Sequence, residues 1–199
     1  MKNKPLNIMI FDTETTGLPE SNDIDPVEWT RWPRCVQLGY IRWQYLDGRA
    51  VPVAIRTRLI APDGFEIPEA AVAIHHISND KATTGDPVAA VIKEFSDEMM
   101  QSDIVVAHNL KFDKGVILAE CFRNGLDTEI FSNRIEICTR ESTRDICKIE
   151  KDGKIKYPKL IELYRFLFDR DFTDAHDAFS DVTALSQCFF ALANRLLPV

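Results

Sequence analysis

The chain has 199 residues, of which 45% are hydrophobic and 28% are charged, and its formal net charge is −7 at pH 7. This composition excludes a disordered chain, and no apolar run approaches the ~20 residues that cross a bilayer. The acidic balance argues against a protein that coats DNA non-specifically, because such binding relies on clustered lysine and arginine. The lack of a long apolar run predicts no membrane attachment. Five widely spaced cysteines without a CxxC pair indicate reduced thiols in a cytoplasmic protein.

The first part of the chain predicts strands. The apolar run from Asn7 to Phe11 is typical of a central strand, and residues 17–34, with three prolines and several acids, predict a long loop. Residues 36–46 and 51–60 are rich in β-branched and aromatic side chains, and Asp47-Gly48 between them indicates a hairpin turn. Three strands in antiparallel order therefore open the predicted fold.

The rest of the chain predicts helices interrupted by two strands. The last helix has Val182, Leu185, Phe189, Leu192 and Leu196 at spacings of three and four, an amphipathic stripe. Helices are predicted from Pro68 through Ile74 and over 87–100, 112–124, 139–147, 158–168 and 177–197, and strands over 103–107 and 134–138. This order predicts an α/β fold, a mixed five-stranded sheet flanked by helices, in a single domain over residues 1–199.

Two acids follow the first predicted strand. Asp12 and Glu14 are two residues apart, so on a strand they share a face with Ile8 and Ile10 and extend an apolar row. Both carboxylates then lie near the carboxyl end of the strand, where open α/β sheets commonly bind ligands. The alternative is that the two acids merely end a strand in solvent.

A third acid opens the helix after the strand over 103–107. Asp113 lies in the first predicted turn, close to Asn109, which could orient a hydroxyl or phosphate, and to Lys111 and Lys114, which could meet phosphates. The alternative is an acid that the helix dipole favours at its N-terminus. Spacing alone leaves both readings of Asp113 open.

The fourth acid borders the buried stripe of the last helix. Asp181 directly precedes Val182, and a buried carboxylate requires a partner or a metal. His176 lies five residues earlier, and on a continuous helix it would point about 140° away. If Asp174 or Asp177 caps the helix, His176 instead lies on the incoming loop and can reach the acids. A histidine there could accept a proton from water near neutral pH.

The segment over residues 134–159 holds eight basic and five acidic residues, a net charge of +3. Either a solvated face or a patch that contacts phosphates would account for this charge.

Three segments in chain order resemble the DEDD superfamily of 3′–5′ exonucleases, which have an RNase H-like fold: Asp12-x-Glu14, Asn109-x-x-Phe112-Asp113 and His176-x-Ala178-x-x-Asp181. The histidine resembles that of the DEDDh branch, the group that contains the DNA polymerase III epsilon subunit and RNase T. The tyrosine branch would place Tyr where this chain has Asp177. Residues 36–39 also resemble the second family strand. Residues 73–78 resemble its His-Gly-Ile-Thr segment, with His76 in place of the glycine.

The resemblance implies a metal-dependent exonuclease that acts on single-stranded 3′ ends, DNA in preference to RNA, and releases nucleoside 5′-monophosphates. Two Mg²⁺ or Mn²⁺ ions are implied, one held by Asp12, Glu14 and Asp181. Asp12 would reach the second ion, with Asp113 as a more distant ligand. His176 would be the general base. Contacts with substrate are implied for Thr13, Thr15, Gly17, Leu18, His108, Asn109 and Phe112.

Two alternatives share this fold: an inactive module that binds nucleic acid or tethers a polymerase, and an exoribonuclease that trims RNA. The intact acids and histidine disfavour the first. The resemblance implies single-stranded DNA or RNA 3′ ends as partners, and a DNA polymerase subunit or a second copy of the chain stays open. The loop over 19–34 contains Trp29 and Trp32, which we expect to pack on the protein surface rather than stack on bases.

Overall fold

A computed structural model describes residues 4–21, 23–173 and 175–196. Its main sheet has the strand order β3-β2-β1-β4-β5, with β1 antiparallel to β2 and parallel to β4, and with β4 parallel to β5. The strands are β1 (Leu6–Thr15), β2 (Cys35–Leu46), β3 (Arg49–Leu59), β4 (Ile104–Ala107) and β5 (Ile135–Cys138). The predicted mixed five-stranded sheet is confirmed.

Asp47 and Gly48 form the turn between β2 and β3. Both have positive φ, 48° and 78°, which is the backbone twist that two-residue hairpin loops favour. The predicted hairpin is therefore confirmed, with strand ends within two residues of those expected.

Eight α-helices cover the two faces of the sheet within the described ranges. Four predicted helices are found with ends shifted by up to two residues: those over 68–74, 87–100, 112–124 and 158–168. The helices are α1 (Glu69–His75), α2 (Asn79–Ala82), α3 (Val88–Met99), α4 (Leu110–Asn124), α5 (Thr139–Ser142), α6 (Arg144–Cys147), α7 (Leu160–Phe168) and α8 (Ala178–Leu196). The predicted end of the last helix, Leu197, lies outside the described residues.

The two faces of β1 pack against different helices. Met9 and Phe11 belong to the core that contains α3 and α4, whereas Ile8 and Ile10 pack with Val182 and Leu185 of α8. Helix α7 packs against the outer side of α8. Because side chains alternate along a strand, Asp12 and Glu14 continue the row that faces α8, as the sequence predicts.

One expectation about the region after β5 was wrong, and one element there was not predicted. The single helix predicted over 139–147 is two short helices, because Thr143 between them leaves helical geometry, with φ −106° and ψ 2°. A short hairpin that was not predicted follows, formed by β6 (Glu150–Lys151) and β7 (Lys154–Ile155) around a turn at Asp152-Gly153. Its strands have only two residues each, too few to show a period of alternation.

The long loop before β2 contains one 3₁₀ turn, Trp29–Arg31. Trp32 is buried and packs near Phe112. The guanidinium of Arg123 lies over the ring of Trp29 in a cation–π contact. All five cysteines are free thiols, three of them buried. Among the described residues, no helix is long and apolar enough to cross a membrane.

Candidate active site

The start of α8 lies directly on the backbone of β2. A Cβ atom placed on Gly39 would be 2.5 Å from the carbonyl oxygen of Ala178, so only glycine allows this approach. Gly39 is the direct β2 partner of Asp12, and Gln37 is the partner of Glu14. The contact therefore brings the first turn of α8 beside the two acids of β1.

Asp177 caps α8, and His176 lies before the helix. The carboxylate of Asp177 accepts a hydrogen bond from the backbone N–H of Ser180 at 3.2 Å. Gln37 fixes the same turn: its amide donates to Asp177 (3.3 Å), and its oxygen accepts from the N–H of Ala178 (3.0 Å). The expectation that a capped helix leaves His176 on the incoming loop is confirmed. The alternative cap, Asp174, lies outside the described residues.

The backbone of His176 orients one of the acids. His176 has φ 71°, in the left-handed region that costs a non-glycine residue roughly 1–2 kcal/mol. In this conformation its N–H donates to Oδ2 of Asp181 at 3.0 Å. The exposed imidazole then lies over the site, where potential ligand atoms of Glu14, His176 and Asp181 all lie within 4.8 Å of one another.

Asp113 joins the site from the opposite face of the sheet. It is buried in the first turn of α4, and its Oδ1 accepts hydrogen bonds from both the backbone N–H (3.1 Å) and the hydroxyl (2.8 Å) of Thr13. Thr13 lies between Asp12 and Glu14 on β1. The strand thus presents two acids toward α8 and uses the residue between them to hold a third.

The site is unfavourable for negative charge. Burial raises the pKa of Glu14 to about 8, and the carboxylates of Asp181, Asp113 and Asp177 add to the shift. Burial raises the pKa of Asp113 to about 7, against the lowering effect of the Thr13 hydrogen bonds, and that of Asp181 to about 6. Burial also raises the pKa of Asp12 well above its ordinary value, and Asp113, Asp181 and Glu14 raise it further.

These carboxylates fit divalent cations. Oxygen-rich sites suit hard ions such as Mg²⁺ and Mn²⁺, and a bound cation favours the ionised form that burial and mutual repulsion disfavour. The geometry groups Glu14, His176 and Asp181 most tightly. Asp12 and Asp113 adjoin them, because Asp12 and Glu14 flank Thr13 on β1 and Asp113 is hydrogen-bonded to Thr13. All five residues predicted for the reaction therefore lie in one region.

A cavity of about 310 Å³ opens beside the acids. The end of β1 and the following loop form one wall, α1 forms another, and Phe112 of α4 contributes a ring. Leu18 stands at this cavity with 82% of its surface exposed. Five of the residues predicted to contact substrate line it: Thr13, Thr15, Gly17, Leu18 and Phe112.

Arg34 holds the loop that follows Glu14. The backbones of Thr16 and Arg34 are hydrogen-bonded (3.0 Å), and the hydroxyl of Thr16 accepts from the N–H of Arg34 at 2.9 Å. The guanidinium of Arg34 in turn pairs with the fully buried Glu120 of α4 at 3.0 Å. One wall of the cavity is therefore attached to α4 through a buried ion pair.

Two residues predicted to contact substrate make other contacts. His108 is buried, with Nδ1 3.0 Å from the hydroxyl of Thr139 and Nε2 3.0 Å from the carbonyl oxygen of Pro158. Burial lowers its pKa to about 4, so the ring is neutral at pH 7. The side-chain oxygen of Asn109 accepts a hydrogen bond from Arg140 at 3.2 Å. Neither side chain lines the cavity.

Sequence reasoning missed the roles of two residues at the site. Gln37 orders the start of α8 together with the predicted cap Asp177, as described above. His75 lines the cavity, is only 5% exposed, and has a buried Nε2 without a hydrogen-bond partner among the described residues. The sequence did contain a signal for His75, because it lies in the segment over 73–78 that resembles the His-Gly-Ile-Thr segment of the family. The adjacent His76 has φ 58° at the end of α1, which explains why a glycine suits that position.

Comparisons with known proteins agree with this geometry. A family model described as exonuclease (RNase_T) matches residues 9–189. A DNA polymerase III subunit epsilon-like protein of Rhodobacter capsulatus is 32% identical over 135 residues, which are 64% of this chain and 17% of that protein. The chain thus spans less than a fifth of that relative.

Solved structures of Escherichia coli exonuclease I have the same fold. Its complex with a dA16 oligonucleotide matches with a TM-score of 0.77 and 18% identity, over 96% of this chain and 41% of that chain. The zinc-bound form of its complex with single-stranded DNA matches with a TM-score of 0.74 and 20% identity, over the same shares of the two chains. The RNase H-like fold is thereby confirmed, and the chain belongs to the exonuclease family, as a member of its DEDDh-type 3′–5′ branch.

Proposed function

We propose that this chain hydrolyses the terminal phosphodiester bond at the 3′ end of single-stranded nucleic acid and releases nucleoside 5′-monophosphates. The observation that carries the proposal is the convergence of Glu14, His176 and Asp181 within 4.8 Å beside the cavity. At about 310 Å³, the cavity is at the small end of the range for ligand pockets, which suits one terminal nucleotide.

Each acid has a role that its position supports. Glu14, Asp181 and Asp12 would hold a divalent ion, Asp12 would reach a second, and Asp113 would complete the set from α4. Two Mg²⁺ or Mn²⁺ ions there would supply positive charge at the reacting phosphate, where the attacking and leaving oxygens become negative. Thr13 holds Asp113 in place, and the N–H of His176 holds Asp181.

His176 would act as the general base. Its imidazole is exposed and lies over the acids, so it can accept a proton from a water molecule at the phosphate and return that proton to solvent. Leu18 and Phe112 would contact the terminal base through apolar surface, which tolerates any base. Thr15 and Gly17 would meet the terminal sugar and phosphate through the loop backbone.

We favour DNA over RNA, because the similar exonuclease I structures are complexes with DNA oligonucleotides. An exoribonuclease differs at the terminal 2′-hydroxyl, which an RNA substrate would test directly. Attachment to a polymerase is a further proposal, supported by the name of the Rhodobacter relative. The five free thiols support a reducing, cytoplasmic environment.

The test uses DNA and RNA oligonucleotides labelled at either end, incubated with the purified chain and Mg²⁺ or Mn²⁺, and then with a chelator. We expect 5′-labelled DNA to shorten stepwise from its 3′ end only when metal is present. Asp12→Asn and Asp181→Asn should lose at least about 100-fold in rate, because metal assistance supplies several kcal/mol. Asp97→Asn on the exposed face of α3 is the matched control. Parental rates in both site variants would refute the site assignment.

A further inference from the structure

We propose that the β6–β7 hairpin, together with Arg140 and Arg144, contacts the phosphate backbone of the single strand whose 3′ end occupies the active site. This inference rests on the proposed function, and it adds a second, upstream contact for the same substrate. Four observations carry it: the position of the hairpin, its anchoring, its arrangement of like charges, and the distribution of charge along the chain.

The hairpin lies at the same edge of the sheet as the acids. Strands β1, β4 and β5 are parallel, so their carboxyl ends meet at one edge. Arg140 follows β5, and its Nη1 donates to the side-chain oxygen of Asn109, which follows β4. Asn109 in turn lies one helical turn before Asp113. A strand leaving the active site along this edge would pass Arg140.

Contacts from both sides attach the hairpin to this edge. The ring of Tyr157, just after β7, lies under the guanidinium of Arg140 at 4.7 Å and that of Arg144 at 5.5 Å. Arg144 also donates to the carbonyl oxygen of Ile155 at 3.3 Å. His108, at the end of β4, contacts the carbonyl oxygen of Pro158. The hairpin is therefore held beside the site, and Tyr157 remains 44% exposed.

The hairpin places two like charges directly opposite each other. Lys151 pairs with Lys154 across the ladder, so the two ammonium groups share one face, while Glu150 and Ile155 share the other. Opposed like charges destabilise a strand pair. Within the described ranges no carboxylate lies within 4.0 Å of either ammonium group, and the same is true of Lys148. A bound phosphate would relieve this repulsion.

The charge distribution favours a polyanion at this place. The chain as a whole carries −7, whereas residues 134–159 carry +3. No hairpin residue lines the cavity, so the hairpin would meet phosphates of a longer strand and not the terminal nucleotide. Backbone phosphates attract lysine and arginine irrespective of base, and an exposed tyrosine ring offers a face for stacking. The occupant we assign is therefore the upstream part of a single-stranded substrate.

The experiment measures binding, so that it does not depend on cleavage. A 16-nucleotide oligo-dT labelled with fluorescein at its 5′ end is titrated with the full chain in chelator at several salt concentrations, and anisotropy gives Kd. The variant is Lys151→Ala with Lys154→Ala. The matched control, Arg49→Ala with Lys93→Ala, removes the same charge from the opposite edge strand β3 and from α3. Replacement of both hairpin lysines by arginine tests rescue.

Loss of two phosphate contacts should reduce the slope of log Kd against log salt by about 1.4, since each contact to a single strand contributes about 0.7. The control and the arginine variant should keep the parental slope. The parental preference for the 16-mer over a dinucleotide should shrink in the alanine variant alone. An alanine variant with the parental slope, or a parent that does not bind the 16-mer, would overturn the proposal. If the parent binds with this dependence but no metal supports cleavage, the proposed function fails and the binding surface stands.

Discussion

Gly39 and Ala178 are in such close contact that a side-chain carbon on Gly39 would lie 2.5 Å from the carbonyl oxygen of Ala178. Gly39 pairs with Asp12 on β1, and Ala178 is the first residue of α8. This one contact therefore sets the distance between the acids of the strand and those of the helix.

Gly39→Ala should separate the two groups of acids. We expect a loss of stability of about 1–3 kcal/mol, typical of overpacking, together with weaker stabilisation by Mn²⁺. Thermal unfolding with and without Mn²⁺ measures both effects. Gly85→Ala is the matched control, because its Cβ would lie 2.6 Å from the carbonyl oxygen of Leu59, outside the acid cluster. Equal loss of the Mn²⁺ effect in both variants would contradict the role given to Gly39.

Without metal, stability should fall as pH rises from about 6.5 to 8. The folded-state pKa of Glu14 is about 8 and that of Asp113 about 7, above the unfolded values of roughly 4. The folded protein therefore binds more protons than the unfolded chain in this window, and each rise in pH favours unfolding. Glu14→Gln should make the slope shallower and raise Tm at pH 8 by about 2–4 °C for each kcal/mol of repulsion relieved.

Thermal unfolding in chelator at several pH values measures this slope. Asp97→Asn, which removes an exposed carboxylate of α3, should keep the parental slope. Saturating Mn²⁺ should abolish the decrease of Tm with pH in the parent, because the bound ions favour the charged carboxylates. If the parent has the same Tm in chelator at pH 6.5 and 8, ionisation of these acids does not destabilise the folded protein, and the prediction is wrong.

His176→Ala should reduce kcat by about 10²- to 10⁴-fold, the usual contribution of a general base. Mn²⁺ should still raise the Tm of this variant, because the carboxylates remain. His76→Asn removes the neighbouring exposed imidazole and should leave kcat at the parental value. A His176→Ala variant with parental kcat would exclude this residue as the base.

His108→Leu should destabilise the protein by about 1–3 kcal/mol, because it leaves the buried carbonyl oxygen of Pro158 without its partner and removes one of the two partners of the Thr139 hydroxyl. The pKa of His108 is lowered to about 4, so the unfolded chain binds more protons than the folded protein between pH 4 and 6.5. His108 therefore makes the free energy of unfolding of the parent rise with pH across this window. The variant lacks this group, so its free energy of unfolding should rise less. Denaturant unfolding at pH 4.5 and 6.5 compares the two proteins.

Much of the site could be predicted from local patterns. Alternation along β1 placed Asp12 and Glu14 on the face of Ile8 and Ile10, and the apolar stripe of α8 placed Asp181 at its buried edge. Both patterns depend on residues a few positions apart, and packing preserves them in the fold. The cap at Asp177 was likewise visible as a short polar residue before an apolar run.

What could not be predicted depends on contacts between distant residues. His108 lies in a segment that suggests substrate binding, yet its two partners are 31 and 50 residues away. Gly39 is unremarkable within a strand until Ala178, far along the chain, packs against it. The β6–β7 hairpin has too few residues for a periodic pattern, and Thr143 divides a segment whose composition suits one helix.

Thr13 donates two hydrogen bonds to Asp113 of α4 on one side of β1. Asp12 and Glu14, which flank Thr13, face α8 on the other side. Strand β1 therefore separates the hydrophobic core beneath α4 from the one beneath α8. A cation bound by both Asp113 and Glu14 would link these two layers, which otherwise meet only through the sheet. Amide hydrogen exchange at the first turns of both α4 and α8 should slow in concert when Mn²⁺ is added, whereas the amides of α3 should exchange as before.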